Sequence, residues 1–313
     1  MGFQRAGVGT SWAVDADPFA VATYTANFPG VPTLERDVQT VSVKQDQLEP
    51  VDVLHAGFPC QSFSQAGSRR GFEDPRGRLF YEIIRIIQEF KDRKPMALIL
   101  ENAPYLRYGE GGSWFLELQK EIQKAGYRFR DSNCAELNAY DITALPQQRV
   151  RLFMVAFSMQ HFRSGKFRFP ADRCTKPKRL ESYIDFDGTQ DDEYYLHREN
   201  RYHKMIIRRI TDRRCVYQLR KYEVRPKAPG VCPTLTANMG LGGHNVPFIV
   251  DARGLRKLTE HECLRLQGFD AFVFPDTVPR HRRYMQVGNS VTVPVAQLIA
   301  EMVVQKLQQE RCR

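Results

Sequence analysis

The first half of the chain alternates short apolar runs with longer amphipathic segments. Apolar runs predict strands at Trp12–Val14, Val51–Ala56, Ala97–Leu100 and Leu152–Phe157. Helical spacing predicts a helix at Leu79–Phe90, and helices are also expected at Pro18–Asn27, which has Pro at its first position, and at Trp114–Ala125, which Gly126 follows. The run ALIL at 97–100 has no polar position, which is typical of a strand covered on both faces. Strands that alternate with helices predict an α/β fold of the Rossmann-like, doubly wound type, with a mostly parallel sheet.

The pattern changes in the second half of the chain. Residues 170–250 are rich in proline, glycine and charged residues, and few of them follow a helical period. Amphipathic segments return at Leu258–Leu266 and Val291–Leu307, and the last of them could return to pack on the first domain. We therefore expect one domain at residues 1–172 plus 286–313, and a smaller domain of irregular structure at residues 173–285.

Composition and charge indicate a globular protein with a polyanionic partner. With 313 residues, 42% of them hydrophobic, the chain is long enough to bury a sizeable core. The formal net charge is +10, and the segment 198–227 alone has 11 Lys or Arg against three acidic residues. No run approaches 18 apolar residues, and the N-terminus lacks the apolar stretch of a secretory signal. We therefore expect neither a membrane-spanning helix nor a secretory leader.

The cysteines argue against both covalent cross-links and a structural metal. There are seven of them, an odd number, and no two form a C-x-x-C pair. This pattern disfavours a disulfide framework and a zinc site. We therefore expect reduced thiols in a cytosolic protein that holds no metal.

Three candidate chemical groups stand just after predicted strands. Cys60 lies in the loop that follows Val51–Ala56, Glu101 follows ALIL directly, and Asp15 follows Trp12–Val14 directly. Ligands of open parallel sheets bind outside the carboxyl ends of the strands. A thiol there can act as a nucleophile and Asp15 can hold ribose hydroxyls, although a small buried cysteine and a solvated turn are the alternatives. Together the three residues place a thiol, a carboxylate and a ribose-type acid along one edge of one sheet.

Six short motifs follow one another along nearly the whole chain. They are Pro59-Cys60-Gln61 (within GFPCQSFS), Glu101-Asn102-Ala103, Gln147 with Arg149 and Arg151, Pro233–Ala237, Arg256–Phe269, and Gly288-Asn289-Ser290. On these motifs the chain resembles the DNA (cytosine-5) methyltransferases, in particular those of bacterial restriction–modification systems. One short pattern can match by chance, but an ordered set of this size does not. The resemblance implies a Rossmann-like methyltransferase domain and a target-recognition domain.

The resemblance implies that Cys60 is the nucleophile of the reaction. The target cytosine would be flipped out of the duplex, and the Cys60 thiolate would attack carbon 6 of the base. Glu101 would bind the ring nitrogen and the exocyclic amine. Arg149 and Arg151 would hold the base oxygen, a phosphate or Glu101 itself, because a guanidinium binds oxygens in pairs.

The resemblance also implies S-adenosyl-L-methionine as the methyl donor. Asp15 would bind the ribose of this cofactor, and Asp37 would accept from the exocyclic amine of its adenine. The cofactor site would further include Ala16, Val38, Pro59, Asn289 and Ser290.

Double-stranded DNA with a short specific site is the substrate that the resemblance implies. The DNA-binding residues would be Gln61, Ser64, Thr234 and Leu235, and the basic segment 198–227 would contact phosphates. Transfer RNA is an alternative substrate, but the Thr234-Leu235 signature in a long recognition segment favours DNA. We further expect a monomer in the bacterial cytoplasm, associated with the nucleoid, with a cognate restriction endonuclease as its functional partner.

The N-terminus departs from the family pattern. Family members open with a strand and a glycine-rich turn that approaches the methionine end of the cofactor. Residues 1–7 (MGFQRAG) look like the end of the helix that follows this turn, so we expect the first strand and the glycine loop to be absent. The alternative to an active enzyme is therefore a truncated, catalytically impaired member that retains DNA binding.

Overall fold

The chain divides into two compact units. The computed structural model describes residues 1–59, 71–170, 178–220, 223–242 and 244–311. The α/β unit comprises Phe3–Leu137, Val150–Ala171 and Gln297–Arg313, and the second unit comprises Met1–Gly2, Asn138–Arg149 and Asp172–Ala296. The second unit thus contains residues 138–149 and 286–296, which the sequence analysis assigned to the first domain.

The helices of the described residues are α1 (Gly2–Arg5), α2 (Pro18–Asn27), α3 (Leu79–Glu89), α4 (Ser113–Lys124), α5 (Ala139–Ile142), α6 (His203–Ile207), α7 (Glu260–Leu266), α8 (Arg280–Asn289) and α9 (Val293–Arg311). Five of them, α2, α3, α4, α7 and α9, match segments that the sequence analysis picked out. Helix α2 begins as predicted, because Pro18 occupies its first turn and the Asp17 carboxylate accepts from the Phe19 N–H at 2.9 Å. The predicted helices at 18–27, 79–90 and 114–125 are confirmed to within a residue at either end.

Two sheets form the framework of the α/β unit. The smaller pairs β1 (Ala13–Asp15) with β2 (Thr33–Glu35) in parallel. The strands of the larger sheet are β3 (Val53–Gly57), β4 (Ala97–Asn102), β5 (Tyr127–Arg128), β6 (Cys134–Asn138) and β7 (Val150–Ser158). Its order is β3-β4-β7-β5, and β6 also pairs with β7. Because β3 is parallel to β4, both strands carry their carboxyl ends, and the residues that follow, to one edge.

The core of the α/β unit lies around β4 and β7. The run ALIL of β4 is at most 1% exposed, which confirms a strand covered on both faces. Helices α3 and α4 place Ile83 and Ile87, and Leu118 and Ile122, in the same apolar cluster. Strand β7 runs antiparallel to both β4 and β5, so the larger sheet is mixed, and the expectation of a mostly parallel sheet is corrected here.

The outer edges of β1 and β3 have no strand partner among the described residues. In that part of the chain β1 pairs only with β2, and β3 pairs only with β4. Residues Gly2–Arg5 form the short helix α1, in keeping with the helical interpretation of this segment. Such edges present backbone N–H and C=O groups that can pair with a further strand.

The second unit contains an antiparallel sheet that the sequence pattern did not indicate. Its strands are β8 (Tyr217–Arg220), β9 (Glu223–Pro226), β10 (His244–Val250) and β11 (Leu255–Lys257), in the order β11-β10-β8-β9. The expectation of irregular structure is corrected here. Three of these strands have only three or four residues, and β8 and β9 carry charged residues that interrupt the apolar alternation.

One helical stretch meets the length and composition of a membrane span. It covers Arg280–Gln309, and it includes α8 and most of α9. More than half of its most apolar part is buried inside the protein, as is typical of a core helix.

Candidate active site

Glu101 lies at the carboxyl end of β4, beside the end of β3. The strand register pairs Glu101 with Gly57, the last residue of β3. The Glu101 carboxylate lies close to this glycine, because a Cβ on Gly57 would be 3.6 Å from Glu101 Oε2. Phe58 and Pro59 follow Gly57 in the chain, so the fold brings Glu101 to the strand end that leads into Cys60.

Arg151 forms an ion pair with Glu101 inside this edge. The Arg151 Nε lies 3.1 Å from Glu101 Oε1, and the two side chains are only 20% and 13% exposed. Arg151 also donates through Nη1 to the carbonyl of Val150 at 2.8 Å. Of the three roles that the resemblance left open for this arginine, the geometry supports the one in which it holds Glu101.

Asn102 fixes the end of β3, a function that the sequence analysis did not assign. Its fully buried side chain donates from Nδ2 to the Phe58 carbonyl at 3.1 Å, and its Oδ1 accepts from the Ala103 N–H at 2.8 Å. Phe58 is also buried and packs against the ring of Phe80 at 5.6 Å. The signal in the sequence was a polar residue at the end of a wholly apolar strand. The residue before Pro59 is therefore held on both its backbone and its side chain.

Several predicted residues fall on a segment that the structure does not describe. Cys60, Gln61 and Ser64 lie within residues 60–70, outside the described residues. Pro59 is the last described residue before them and is half-buried. The structure thus describes the chain that leads towards Cys60 as far as Pro59, whereas the placement of Cys60 itself stays a prediction from the sequence.

Acidic residues mark the carboxyl edge of the β1–β2 sheet. Asp15 ends β1, and its Oδ1 accepts from the Asp17 N–H at 2.9 Å. Asp37 follows β2 and accepts from the Gln39 N–H at 2.9 Å, so it caps the 3₁₀ turn that begins at Val38. Because β1 and β2 are parallel, Asp15, the exposed Ala16 and Asp37 come to one edge. Carboxylates here are acceptors that match the hydroxyl and amine donors of a nucleoside.

Helix α3 supports the turn that carries Asp37 and Val38. Arg85 donates from Nη2 to the Val38 carbonyl at 3.0 Å and from Nε to Glu82 at 2.7 Å. Glu89 accepts from the Val43 N–H at 2.8 Å and also pairs with Arg85. Sequence reasoning missed these two residues, because neither stands next to a motif.

Arg149 binds three backbone carbonyls of the second unit. The side chain is 3% exposed, and its guanidinium donates to the carbonyls of Leu235, Gly288 and Ser290 at 2.8, 2.9 and 2.7 Å. These carbonyls lie 86 to 141 residues away along the chain. The geometry therefore gives Arg149 a bridging role between the Leu235 segment and the end of α8. At the end of α8 the Ser290 Oγ donates a hydrogen bond to the Val287 carbonyl, and the neighbouring Asn289 is exposed.

Gln147 and Thr234 join the same two segments. The fully buried Gln147 donates to the Leu266 carbonyl at 3.0 Å and accepts from the Leu235 N–H at 3.4 Å. The hydroxyl of Thr234 donates to the Gln148 carbonyl at 2.6 Å. The Leu235 side chain is 1% exposed and lies in the apolar core of the unit. This burial corrects the predicted DNA contact for the Leu235 side chain, which instead packs in the core below the backbone of residues 233–237.

The described residues show no metal centre. No group of three or more His, Cys, Asp or Glu side chains that could hold a metal ion occurs in the parts of the chain that the structure describes. The four cysteines in those parts, Cys134, Cys215, Cys232 and Cys263, are buried and free.

Solved structures share this fold. The methyltransferase EhMeth of Entamoeba histolytica superposes with a TM-score of 0.72 at 16% identity, covering 97% of this chain and 95% of that one. A putative DNA modification methyltransferase encoded within a prophage of E. coli superposes with a TM-score of 0.68 at 20% identity, covering 98% and 95%. At these identities the likeness concerns the fold, and it confirms the Rossmann-like methyltransferase class.

Sequence comparison extends the likeness to function. The family model described as C-5 cytosine-specific DNA methylase matches residues 1–305. The Type II methyltransferase M.Bsp6I of Bacillus sp. (strain RFL6) is 36% identical over 308 residues, 97% of this chain and 94% of that protein. The Type II methyltransferase M.NlaX of Neisseria lactamica is 33% identical over 307 residues, with 97% and 91% covered. The chain therefore belongs to the C-5 cytosine-specific DNA methylase family and is an enzyme, a DNA (cytosine-5) methyltransferase of the restriction–modification type.

Proposed function

We propose that the protein transfers a methyl group from S-adenosyl-L-methionine to carbon 5 of a flipped-out cytosine in a short specific duplex site. The observation that carries this proposal is the ion pair of Glu101 and Arg151, beside the strand end that leads into Pro59 and Cys60. Protection of the site from a cognate restriction endonuclease is the purpose that fits a methyltransferase of this type.

Cys60 begins the reaction by adding to the base. Its thiolate forms a bond with carbon 6, and the electron pair of the C5–C6 double bond becomes available at carbon 5. When bound, the cofactor would supply an electrophilic methyl group, which carbon 5 takes as the methyl–sulfur bond breaks. Transfer of the carbon 5 proton to water then restores the double bond and expels Cys60 as a thiolate. The cytosine must first leave the duplex, which costs a few kcal/mol of stacking and pairing.

Glu101 offsets the charge that this addition places on the ring. A carboxyl group bound to the ring nitrogen and the exocyclic amine stabilises the adduct more than the free base. Arg151 restricts the Glu101 carboxyl to one orientation through the contact at 3.1 Å. Such preorganisation means that no reorganisation is needed as the charge develops.

The carboxyl edge of the β1–β2 sheet is our candidate for the nucleoside part of the cofactor. Asp15 would accept from the ribose hydroxyls and Asp37 from the adenine amine, with Ala16 and Val38 beside them. The hydrogen bond from Arg85 to the Val38 carbonyl holds this turn in place. For the methionine part we retain three residues from the sequence analysis: Pro59, Asn289 and Ser290.

The second unit is our candidate for DNA recognition. Its basic stretch at 198–227 contributes to a net charge of +10, which suits phosphate contacts that set affinity and its salt dependence. Thr234 stays a candidate DNA contact, together with Gln61 and Ser64. We propose that the enzyme acts as a monomer on nucleoid DNA in the bacterial cytoplasm.

A second candidate function is DNA binding without methyl transfer. The edges of β1 and β3 favour it, because they have no strand partner in the part of the chain that the structure describes, and these strands lead to the candidate cofactor and catalytic residues. Cofactor binding distinguishes the two candidates.

Transfer of labelled methyl from S-adenosyl-L-methionine to mixed-sequence duplex DNA tests the proposal. We expect incorporation that disappears with Cys60→Ala, while DNA binding by this variant stays near that of the intact chain. Glu101→Gln should slow transfer far more than it weakens DNA binding. Activity retained by Cys60→Ala would overturn the nucleophile assignment, and no incorporation with DNA binding intact would support the second candidate.

A further inference from the structure

Leu241 is a large apolar side chain held out into solvent next to the recognition segment. It is 72% exposed, more than any other large hydrophobic residue in the described parts of the chain. It ends the 3₁₀ turn Met239–Leu241, which lies between the Thr234-Leu235 signature and β10. An isolated exposed leucine is common in proteins. Whether Leu241 can contribute to binding therefore depends on how firmly its backbone turn is held.

The turn that carries Leu241 packs tightly on α8. A Cβ on Gly240 would lie 2.7 Å from the Cβ of Tyr284, so only glycine fits at that position. A Cβ on Gly288 would lie 2.2 Å from the backbone nitrogen of Ala237. Met239 is 1% exposed and belongs to the apolar core of the unit. Leu241 therefore stands on a close-packed base.

Hydrogen bonds fix both sides of the turn. The hydroxyl of Thr236 donates to Asn238 Oδ1 at 2.8 Å, and Asn245 Nδ2 donates to the same oxygen at 3.4 Å. The Leu241 N–H donates to the Asn238 carbonyl at 3.2 Å. Because Arg149 and Gln147 hold Leu235 just upstream, the segment loses little further conformational freedom when it binds a partner.

Helix α8, on which the turn packs, begins with the basic sequence Arg280-His281-Arg282-Arg283, in which Arg280 pairs with Glu193 and Glu260. For a polyanion that binds at this helix, Leu241 is an apolar contact, and a leucine side chain forms no favourable interaction with phosphate oxygens. The apolar surfaces that DNA offers are instead on its bases.

We propose that Leu241 reads one base pair of the target site by contact with the apolar C5 edge of a pyrimidine. An aliphatic side chain cannot replace the water that binds the N7 and O6 acceptors or the N6 amine of a purine, so a purine there loses hydrogen bonds. The C5 methyl of thymine, and to a lesser degree the C5–H of cytosine, loses none. This inference rests on the proposed function, since it assigns the base that a DNA-binding segment selects.

Selection from a pool of randomised duplex DNA tests the proposal without any cofactor. The intact protein and the variants Leu241→Ala and Leu241→Gln each select their bound sequences. The control is Leu116→Ala, which removes a 64% exposed leucine from α4 in the α/β unit. We expect the intact protein and the control to select the same motif with a pyrimidine at one position. Leu241→Ala should lose about fivefold discrimination at that position alone, and Leu241→Gln should shift it towards adenine.

Each alternative result overturns the assignment. An unchanged motif with Leu241→Ala shows that Leu241 reads no base, and a purine at the affected position contradicts the apolar contact. A uniform loss of affinity over all sequences makes Leu241 a non-specific contact. Binding without any selected motif would show that the protein does not select a base at all. The methyl-transfer assay tests the proposed function independently of this result. Equal melting temperatures exclude misfolding, as expected for so exposed a side chain.

Discussion

Two arginines on either side of Val150 have quite different partners. Arg151 pairs with a carboxylate, Glu101, whereas Arg149 donates to three backbone carbonyls. The sequence identifies both as candidates, because the motif places them two residues apart. It cannot give their partners, since guanidinium donors suit a carboxylate, a phosphate or a carbonyl equally well, and these partners lie 50 to 141 residues away.

Replacement of Arg151 by lysine should slow the reaction without much effect on DNA binding. A lysine keeps the charge but cannot hold Glu101 with the planar fork of a guanidinium. We expect kcat to fall about 10²-fold, the usual effect of losing one preorganised electrostatic contact, with little change in KM for DNA. Single-turnover methyl transfer at saturating DNA measures this. A loss confined to KM would place Arg151 in DNA binding instead.

Replacement of Arg149 by lysine should act on stability. One ammonium group cannot reach three carbonyls that a buried guanidinium binds in different directions, so buried acceptors lose their donors. We expect a loss of about 2–4 kcal/mol in the free energy of unfolding, measured by urea denaturation. Arg225→Lys, at an exposed pair with Glu223, is the matched control and should change little. Unchanged stability combined with lost kcat would instead place Arg149 at the reacting base.

At the scale of elements, the sequence predicts the α/β unit better than the second unit. Strand β4 and helices α3 and α4 carry strong patterns, because each buries one face or both in the core. Helix α2 buries only Thr23, and Pro18 at its start is what predicted it. The sheet β11-β10-β8-β9 was missed, because its pairing is non-local and its short strands contain Arg220, Glu223 and Arg225. Non-local contacts of the candidate site are likewise invisible in the sequence. Glu101 was found from its strand end, whereas Arg85 was not, because only the fold brings it to Val38.

The junction of β11 and α7 depends on a buried ionic cluster. Arg256 is 0% exposed and donates to both oxygens of Glu262 at 2.8 Å and to Asp251 at 2.7 Å. Glu262 also accepts from the Thr259 N–H at 2.8 Å, which completes the capping box of α7. The cluster thus links the end of the sheet to the start of the helix.

Arg256→Met should destabilise the second unit strongly. The change leaves two buried carboxylates without a cation, and breaking a buried pair from one side typically costs about 3–5 kcal/mol. Urea denaturation of the intact chain and the variant measures the difference. Arg214→Met, which removes an exposed pair with Asp187, should cost at most about 1 kcal/mol. A small change in the free energy of unfolding for Arg256→Met would show that water, or a structural rearrangement, stabilises the two carboxylates in place of the arginine.

On the scale of the whole molecule, the proposed nucleophile must form a thiolate more readily than the four cysteines that the structure describes. Burial raises the pKa of the Cys134 thiol to about 12, and burial together with the Asp212 carboxylate raises that of Cys215 to about 11. The thiols of Cys232 and Cys263 are fully buried, and burial raises their pKa values as well. A raised thiol pKa favours the neutral form, so these four side chains supply almost no thiolate at neutral pH.

Alkylation of the native enzyme with iodoacetamide at pH 7.5 should therefore spare Cys134, Cys215, Cys232 and Cys263. The reagent reacts with thiolate, and burial both raises the pKa of these thiols and blocks its approach. Peptide mass mapping measures the labelling, and the protein unfolded in urea provides the control in which all seven cysteines react. We expect loss of methyl transfer to follow the labelling of Cys60, with cytosine-containing duplex DNA slowing both to the same extent. Labelling of a buried cysteine in step with inactivation would contradict the burial argument. Inactivation before Cys60 is labelled would separate the activity from the proposed nucleophile.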